Sequence, residues 1–438
     1  MFDHLVDFSS PILITVFVGN LIRYLIEGYI ACSNYMLLDA ERMVDDLKAS
    51  HPLAESEFDE RMFYTLLSYN RIRAIFNYFM SSIFRILTVV FLITGIVPTM
   101  LHYMNQFDID MPTKLSALIA VNIILSGLIG LPVELLSDRI EKKFGYSNMT
   151  VRLMLSDMVK SSCISVIINA AIIHILSYVL SLISRLSLYT VFVFVMVAFV
   201  IFWCISVVSA YFIMPMFNKF SSLENGVLKD KLVALAHKFN IKLKDVYVMD
   251  ASRRSKKGNA FCLDIPFGPT KLVLFDTLLN ELTTEEIVSV MGHEFAHKVH
   301  KHNLFHYATS LVRMFILGGV SVYLVYNPHF YHSFGFRCVT DGNICEYTLV
   351  GLCLVVMFVR SVSWIITPLI SSISRCMEYS ADRISVIYTN DKESMITSLI
   401  KVHSRSGSTG ISTYCFEFWF MSHPSLLHRV EAIKRLQV

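Results

Sequence analysis

The chain has 438 residues, 54% hydrophobic and 17% charged, with a formal net charge of +3. Soluble domains carry about 25% charged residues, so the composition excludes a disordered chain and an ordinary soluble enzyme, and so small a net charge gives no support for nucleic-acid binding. Nine cysteines without a CxxC array give little support for a disulfide scaffold or a cysteine-rich zinc site.

Seven stretches are long and apolar enough to span a bilayer: residues 11–32, 78–103, 115–134, 161–182, 187–214, 304–326 and 346–371. A span needs about 20 residues, and helices are expected because backbone polar groups in lipid must bond internally. Met1 to Ser10 carry no Lys or Arg, unlike the basic start of a cleaved signal peptide, so the first stretch is expected to stay as a helix. Stretches four and five are separated only by Ser181 to Leu186 and are expected to form a hairpin; fusing them into one helix is the alternative. Thirty-one Lys and Arg lie in loops 33–77, 135–160 and 215–303 and in the tail 372–438, against Lys114, Arg185 and Arg337 on the other side. This split predicts a lumenal N-terminus and a cytosolic C-terminus, and seven spans keep that alternation. Cys338 and Cys345 share the last lumenal loop, where a local disulfide and two free thiols are both open. The sequon Asn148-Met149-Thr150 falls on the cytosolic side and is expected to stay unmodified.

The expected organisation is an all-α multi-spanning membrane protein with a cytosolic α+β region. Residues 1–214 hold spans one to five, 215–303 a cytosolic catalytic region, 304–371 spans six and seven, and 372–438 a cytosolic tail. In 215–303 the pattern predicts a helix over Val227 to Phe239, then strands at Val246 to Met249, Asn259 to Leu263 and Lys271 to Phe275, with a turn at Gly268-Pro269. Thr283 with Glu286 three residues later reads as a capping box opening a helix that runs towards span six. In the tail, helices are expected over Ile373 to Tyr388 and Lys392 to His403. Gly407 to Gly410 breaks the pattern, and a last amphipathic helix follows Ser422-His423-Pro424.

The capped helix carries His293-Glu294-Phe295-Ala296-His297. Positions i and i+4 share a face, so both imidazoles can reach one ion. Glu294 beside them can take a proton from a water that zinc has made acidic. The bland alternative is a pair of surface histidines beside a basic membrane face. A third protein ligand is needed. Glu378 and Asp382 share a helix face: Glu378 can bind zinc, and Asp382 can bond to the far nitrogen of a liganding histidine. His300, His302 and His306 have spacings that also allow metal binding. Asn20, Arg23, Glu27, Glu134 and Arg313 lie in or near spans and would suit a transport path, but no paired broken-helix repeat accompanies them. A catalytically dead scaffold is the third class, and the complete His293, Glu294, His297 and Glu378 set argues against it.

The stretch ELTTEEIVSVMGHEFAHKVHKHN resembles the type I CAAX prenyl protease family, integral-membrane zinc metallopeptidases of the endoplasmic reticulum and nuclear envelope. So do Leu131-Pro132 with Ile140 to Tyr146, IMPMFNKFSSLENG at Ile213 to Gly226, SRRSKKGNAF with KLVLFDTLL, Ser374-Arg375 with Glu378 to Asp382, and Ser422 to Arg429. The likeness covers about residues 130–435. It implies seven helices around a hydrated chamber and one Zn2+ per chain held by His293, His297 and Glu378. Glu294 is implied as general base, and Asp382 as orienting a ligand. His423 is implied as donor to the oxyanion, and Arg429 as steadying charge or substrate backbone. Asn259 and Ala260 are implied to lie on an edge strand that pairs with the substrate. The implied partners are farnesylated or geranylgeranylated protein C-termini, which lose their last three residues, and membrane lipid. The implied place is the endoplasmic reticulum membrane, with the inner nuclear membrane as a second site. Quality-control proteolysis of other membrane proteins is the alternative activity. The chain departs from the family's block at Lys257, Gly258 and Phe261, none of which is an implied ligand.

Overall fold

The computed structural model describes residues 6–7, 9–36, 40–182, 188–263, 270–325, 327–336 and 347–437. Among them, seven helices are long and apolar enough to cross a membrane: Pro11–Asn34, Glu60–Ile93, Met111–Lys143, Val151–Ser181, Phe192–Phe217, His302–Val325 and Thr348–Thr389. The Gly268-Pro269 turn, Arg185, Arg337, Cys338, Cys345 and most of the connection between spans four and five lie outside the described residues.

Three spans reach well beyond the apolar stretch read from sequence. Glu60–Ile93 has 34 residues, about 50 Å at about 1.5 Å per residue, against a hydrocarbon layer of about 30 Å. It starts early because Asp59 caps it through the Met62 amide at 2.6 Å. It stops at Thr94, before the expected end at 103. Gly95 follows with φ of 62°, a left-handed turn open to glycine, and a short helix Ile96–Met104 resumes. Met111–Lys143 likewise continues past its apolar part to Lys142 and Lys143. Span seven is a single rod from Thr348 to Thr389 with a tight 3-10 turn at Trp364–Ile366. Pro368 cannot donate to the Trp364 carbonyl, which accounts for the irregularity at that point. The tail helix expected at Ile373 to Tyr388 is thus the continuation of span seven.

These extensions build the catalytic region. Phe63, Leu66, Leu67 and Tyr69 of the second span's polar end pack with Phe58, and with Met395, Ile396 and Leu399 of the helix Lys392–Ser406 and Val430 and Ile433 of the helix Leu426–Lys434. A second core joins the sheet to the His293 helix through Leu272, Leu274, Met291, Phe295 and Ala296, and reaches Ala381 of the span-seven extension. The sheet has four strands, β1 Phe220–Ser222, β2 Leu243–Met249, β3 Ala260–Leu263 and β4 Thr270–Phe275, in the order β1-β2-β4-β3. β2 and β4 run parallel, with Val246 opposite Leu272, while β3 runs antiparallel to β4, with Ala260 opposite Leu274. β1, only three residues long, carries too little alternation to be read from sequence. It exists because it pairs with β2, Phe220 opposite Met249. β3 is an edge strand that starts at Ala260, and Asn259, expected within it, lies just before it.

Several polar groups of spans one, two and seven pair with one another. Arg23 Nε lies 2.7 Å from Glu27 Oε1, the Arg85 guanidinium bonds the other oxygen of Glu27, and Asn20 Nδ2 donates to Ser361 Oγ at 2.8 Å. Such pairing holds spans one, two and seven together.

Candidate metal centre and active site

Four chain segments supply the centre. The helix Thr284–Val299 opens on the expected capping box: Glu286 N donates to Thr283 Oγ1 at 3.3 Å, and Thr283 N donates to Glu286 Oε2 at 2.8 Å. It ends at His300 because Lys301 takes a left-handed φ of 55°, after which span six starts at His302. The helix therefore meets span six at a bend and does not run into it. The span-seven extension brings Glu378 and Asp382, both buried. The Ser422 to Pro424 turn brings His423, and the helix Leu426–Lys434 brings Arg429.

His293 Nδ1 lies 2.7 Å from Asp382 Oδ1. The carboxylate accepts, so the His293 proton sits on Nδ1 and the Nε2 lone pair faces inward. That Nε2 is 3.0 Å from His297 Nε2 and 3.4 Å from Glu378 Oε2, and His297 Nε2 is 3.3 Å from Glu378 Oε1. His297 Nδ1 is paired with His302 Nδ1 at 2.7 Å. Two imidazole lone pairs and a carboxylate thus point at one another. Among the described residues, Glu378 Oε2 is buried without a hydrogen-bond partner. A bound cation would satisfy that arrangement. Among those residues, the candidate ligand atoms of His293, His297 and Glu378 all lie within 4.8 Å of one another. A tetrahedral ion with bonds of about 2.0–2.1 Å spaces its ligand atoms about 3.3 Å apart, which the observed contacts match. The donor set therefore fits a metal ion.

Glu294 lies between the two histidines in sequence, and burial pushes its carboxyl up from the ordinary value, against the pull of His293 and His297. His423 Nε2 stands 3.3 Å from Glu378 Oε1, with its Nδ1 3.0 Å from Ser422 Oγ. Arg429 is committed to Asp382 through two bonds, Nε to Oδ2 at 2.8 Å and Nη2 to Oδ1 at 2.6 Å, and its Nη1 is 3.9 Å from Glu378. Ala260 is buried among Met291, Phe295 and Ala296 of the His293 helix, which sets β3 beside that helix. Asn259 is exposed: its carbonyl accepts from Phe275 N at 3.0 Å, and its Oδ1 accepts from Ala260 N at 2.9 Å.

Comparison with known proteins gives the same reading. Residues 222–437 match the model of peptidase family M48, and residues 43–219 match that of the CAAX prenyl protease N-terminal region with its five membrane helices. CAAX prenyl protease 1 of Saccharomyces cerevisiae is 27% identical over 433 residues, covering 94% of this chain and 93% of that one. Probable CAAX prenyl protease 1 of Schizosaccharomyces pombe is 30% identical over 316 residues, 71% of this chain and 63% of that one. The crystal structure of S. mikatae Ste24p superposes with a TM-score of 0.83 at 25% identity, over 97% of this chain and 99% of that one. The chain belongs to the CAAX prenyl protease family. It is a membrane metalloprotease.

Within this CAAX prenyl protease family member, Lys257, which departs from the family block, contacts polar and aromatic side chains. The Lys257 ammonium lies 3.7 Å from Glu141 and over the Tyr146 ring. Two residues with a part in the site went unassigned in the sequence. His302 was one of three histidines with a metal-compatible spacing, and nothing local distinguished it. Gly292 looked like an ordinary helix residue. A methyl there would lie 2.6 Å from Ser385 Oγ and 3.4 Å from Ser385 Cα, and that hydroxyl donates to the Ser289 carbonyl at 2.6 Å. The glycine lets the His293 helix close on the Glu378 helix. Gly292→Ala gains about 1 kcal/mol of helix propensity but loses about 1–3 kcal/mol to overpacking and about 1 kcal/mol for the Ser385 bond. A net loss of about 1–3 kcal/mol is expected from these terms, read as a lower melting temperature with reduced metal content.

Glu286 couples the same helix to the tail, since Lys401 Nζ lies 2.8 Å from its Oε1. Burial alone would raise its carboxyl, but Lys401 and the Thr283 amide hold it below its ordinary 4.5. A depressed folded-state value stabilises the fold above that ordinary value and loses its contribution as pH falls through the folded one. Glu286→Gln is expected to cost about 1–2 kcal/mol at neutral pH and to flatten the fall in melting temperature on acidification below pH 4.5.

Proposed function

We propose that this protein removes the last three residues of proteins whose C-terminal CAAX cysteine is farnesylated or geranylgeranylated, using one Zn2+ held by His293, His297 and Glu378. The observation that carries this reading is the convergence of those three residues within 4.8 Å, with Glu294 beside them, in a chain similar along nearly its whole length to CAAX prenyl protease 1 of yeast. When bound, the ion polarises the peptide carbonyl and makes attack by water feasible near neutral pH. Glu294 takes the proton of the attacking water and passes it to the leaving amine; its raised carboxyl is suited to both halves of that transfer. His423, facing Glu378, donates to the oxyanion developing on the substrate carbonyl. Asp382 fixes the tautomer of His293, and Arg429 fixes Asp382. The outer edge of β3 from Ala260, with Asn259 just before it, receives the substrate backbone as an added strand. A prenylated tail is itself held at the bilayer, so a site beside the start of span six and on the extension of span seven meets it there. The proposed setting is the endoplasmic reticulum membrane, and the inner nuclear membrane with it. The Lys and Arg distribution supports a lumenal N-terminus and a cytosolic catalytic region.

The test is cleavage of a farnesylated C-terminal peptide by the purified protein, beside its unprenylated counterpart and the Glu294→Gln chain. Release of three residues from the farnesylated peptide alone, absent with Glu294→Gln, is the expected result. Equal cleavage of unprenylated, unfolded substrates would replace this reading with membrane quality control. His302 bears on the metal: as acceptor for His297 Nδ1–H, it orients that ligand. His302→Phe is expected to weaken metal retention by about 10–100-fold, measured as the chelator concentration that strips the ion.

A further inference from the structure

The helix Tyr414–Phe420, reading YCFEFWF, is inside out by the rules of a water-soluble tail. Its one charged residue, Glu417, is the one that is buried, with its carboxylate 3.0 Å from His428 Nδ1. Tyr414, Phe418 and Phe420 are exposed, by 81%, 42% and 41%. A face of that kind is expensive in water and favourable at the boundary between headgroups and acyl chains, where aromatic residues collect.

Two contacts place the helix at that depth. The Thr413 amide just before it donates to Asn34 Oδ1 at 2.8 Å, and Asn34 is the last residue of span one. Trp419 lies against Trp364 with ring centroids 5.4 Å apart, at the tight turn of span seven, where Ile365, Ile366 and Leu369 are also exposed. The aromatic face therefore continues the lipid-facing surface of two spans at their ends on the side of the catalytic region. Lipid is the occupant this continuity favours.

The same helix is tied to the active site. Arg375, one turn before Glu378, donates from Nη1 to the carbonyls of Glu417 at 2.8 Å and Met421 at 2.7 Å. Ser422 and His423 follow at once, with His423 Nε2 3.3 Å from Glu378.

We propose that Tyr414–Phe420 is an interfacial anchor, seated in the leaflet adjoining the catalytic region, that holds His423 against the metal centre. The experiment places the full chain in phosphatidylcholine vesicles brominated either near the glycerol end or near the methyl end of the acyl chains. The Trp419 emission is read as the difference between the natural chain and Trp419→Phe. Bromines near the glycerol end are expected to remove more than half of that emission, and aqueous iodide to leave it nearly intact. Quenching by iodide and not by either lipid would overturn the proposal. So would quenching relieved by a farnesylated peptide, which would make the face a substrate surface, or protection that depends on protein concentration, which would make it a contact with a second copy. The link to the site is tested with Phe418→Asp. Peptide hydrolysis in vesicles is expected to fall several-fold in kcat with metal content and melting temperature retained, and an unchanged kcat would overturn that link.

Discussion

Glu294→Gln is expected to lower peptide hydrolysis by at least about 10²-fold, the range of a lost general base, while leaving the metal in place. The amide is close to isosteric with the carboxyl, and Glu294 is none of the three groups whose atoms converge. Its role rests on position between the two histidines and on a carboxyl raised by burial. The check is a pair of measurements on one preparation, turnover of the cleaved peptide and metal per chain. Loss of activity with full metal content supports the assignment. Loss of metal along with activity would instead make Glu294 a structural element of the centre, and residual activity near the natural level would remove it from the mechanism.

Arg429→Met is expected to be the most damaging change outside the ligands themselves. Asp382 is 2% exposed and Arg429 6%, and the two are joined by a fork of two bonds. Removing one member of a buried ion pair costs about 3–5 kcal/mol, because the other charge is left without a partner. Here the orphaned carboxylate is also the acceptor for His293, so the damage passes to the metal centre. A large drop in melting temperature together with loss of metal is expected. The double change Asp382→Asn with Arg429→Met removes both charges, and it is expected to recover part of the stability without recovering activity. If Arg429→Met alone melts like the natural chain, the pair is not the support argued for it.

Seven apolar stretches, the capping box at Thr283, three of the four strands and the His293-Glu294-x-x-His297 spacing were legible because each is a local pattern. A period of about 3.6 or 2.0 residues, or a run of about 20 apolar residues, is set by neighbours along the chain. The partner residues of the site were legible only through resemblance: nothing within ten residues of Glu378 or Arg429 distinguishes them from charges on a solvated helix. Length of helices was the weakest reading. Asp59 caps the start of span two locally, but the packing of Phe63, Leu66 and Leu67 in one core with Met395 and Ile396 joins residues more than 300 positions apart, which no local rule anticipates.

Amino-acid order alone was enough for the membrane class, the number of spans and the candidate metal-binding spacing of His293 and His297, since these follow from side-chain transfer into lipid and from helical spacing. It could not give the use made of Gly292, which matters because Ser385 stands across from it. Nor could it give the choice of His302 among its neighbours, made by a 2.7 Å contact with His297, or the continuation of span seven into the helix that bears Glu378. Those depend on which surfaces meet when distant segments pack, and close contacts of a few ångströms are decided by the packed fold as a whole.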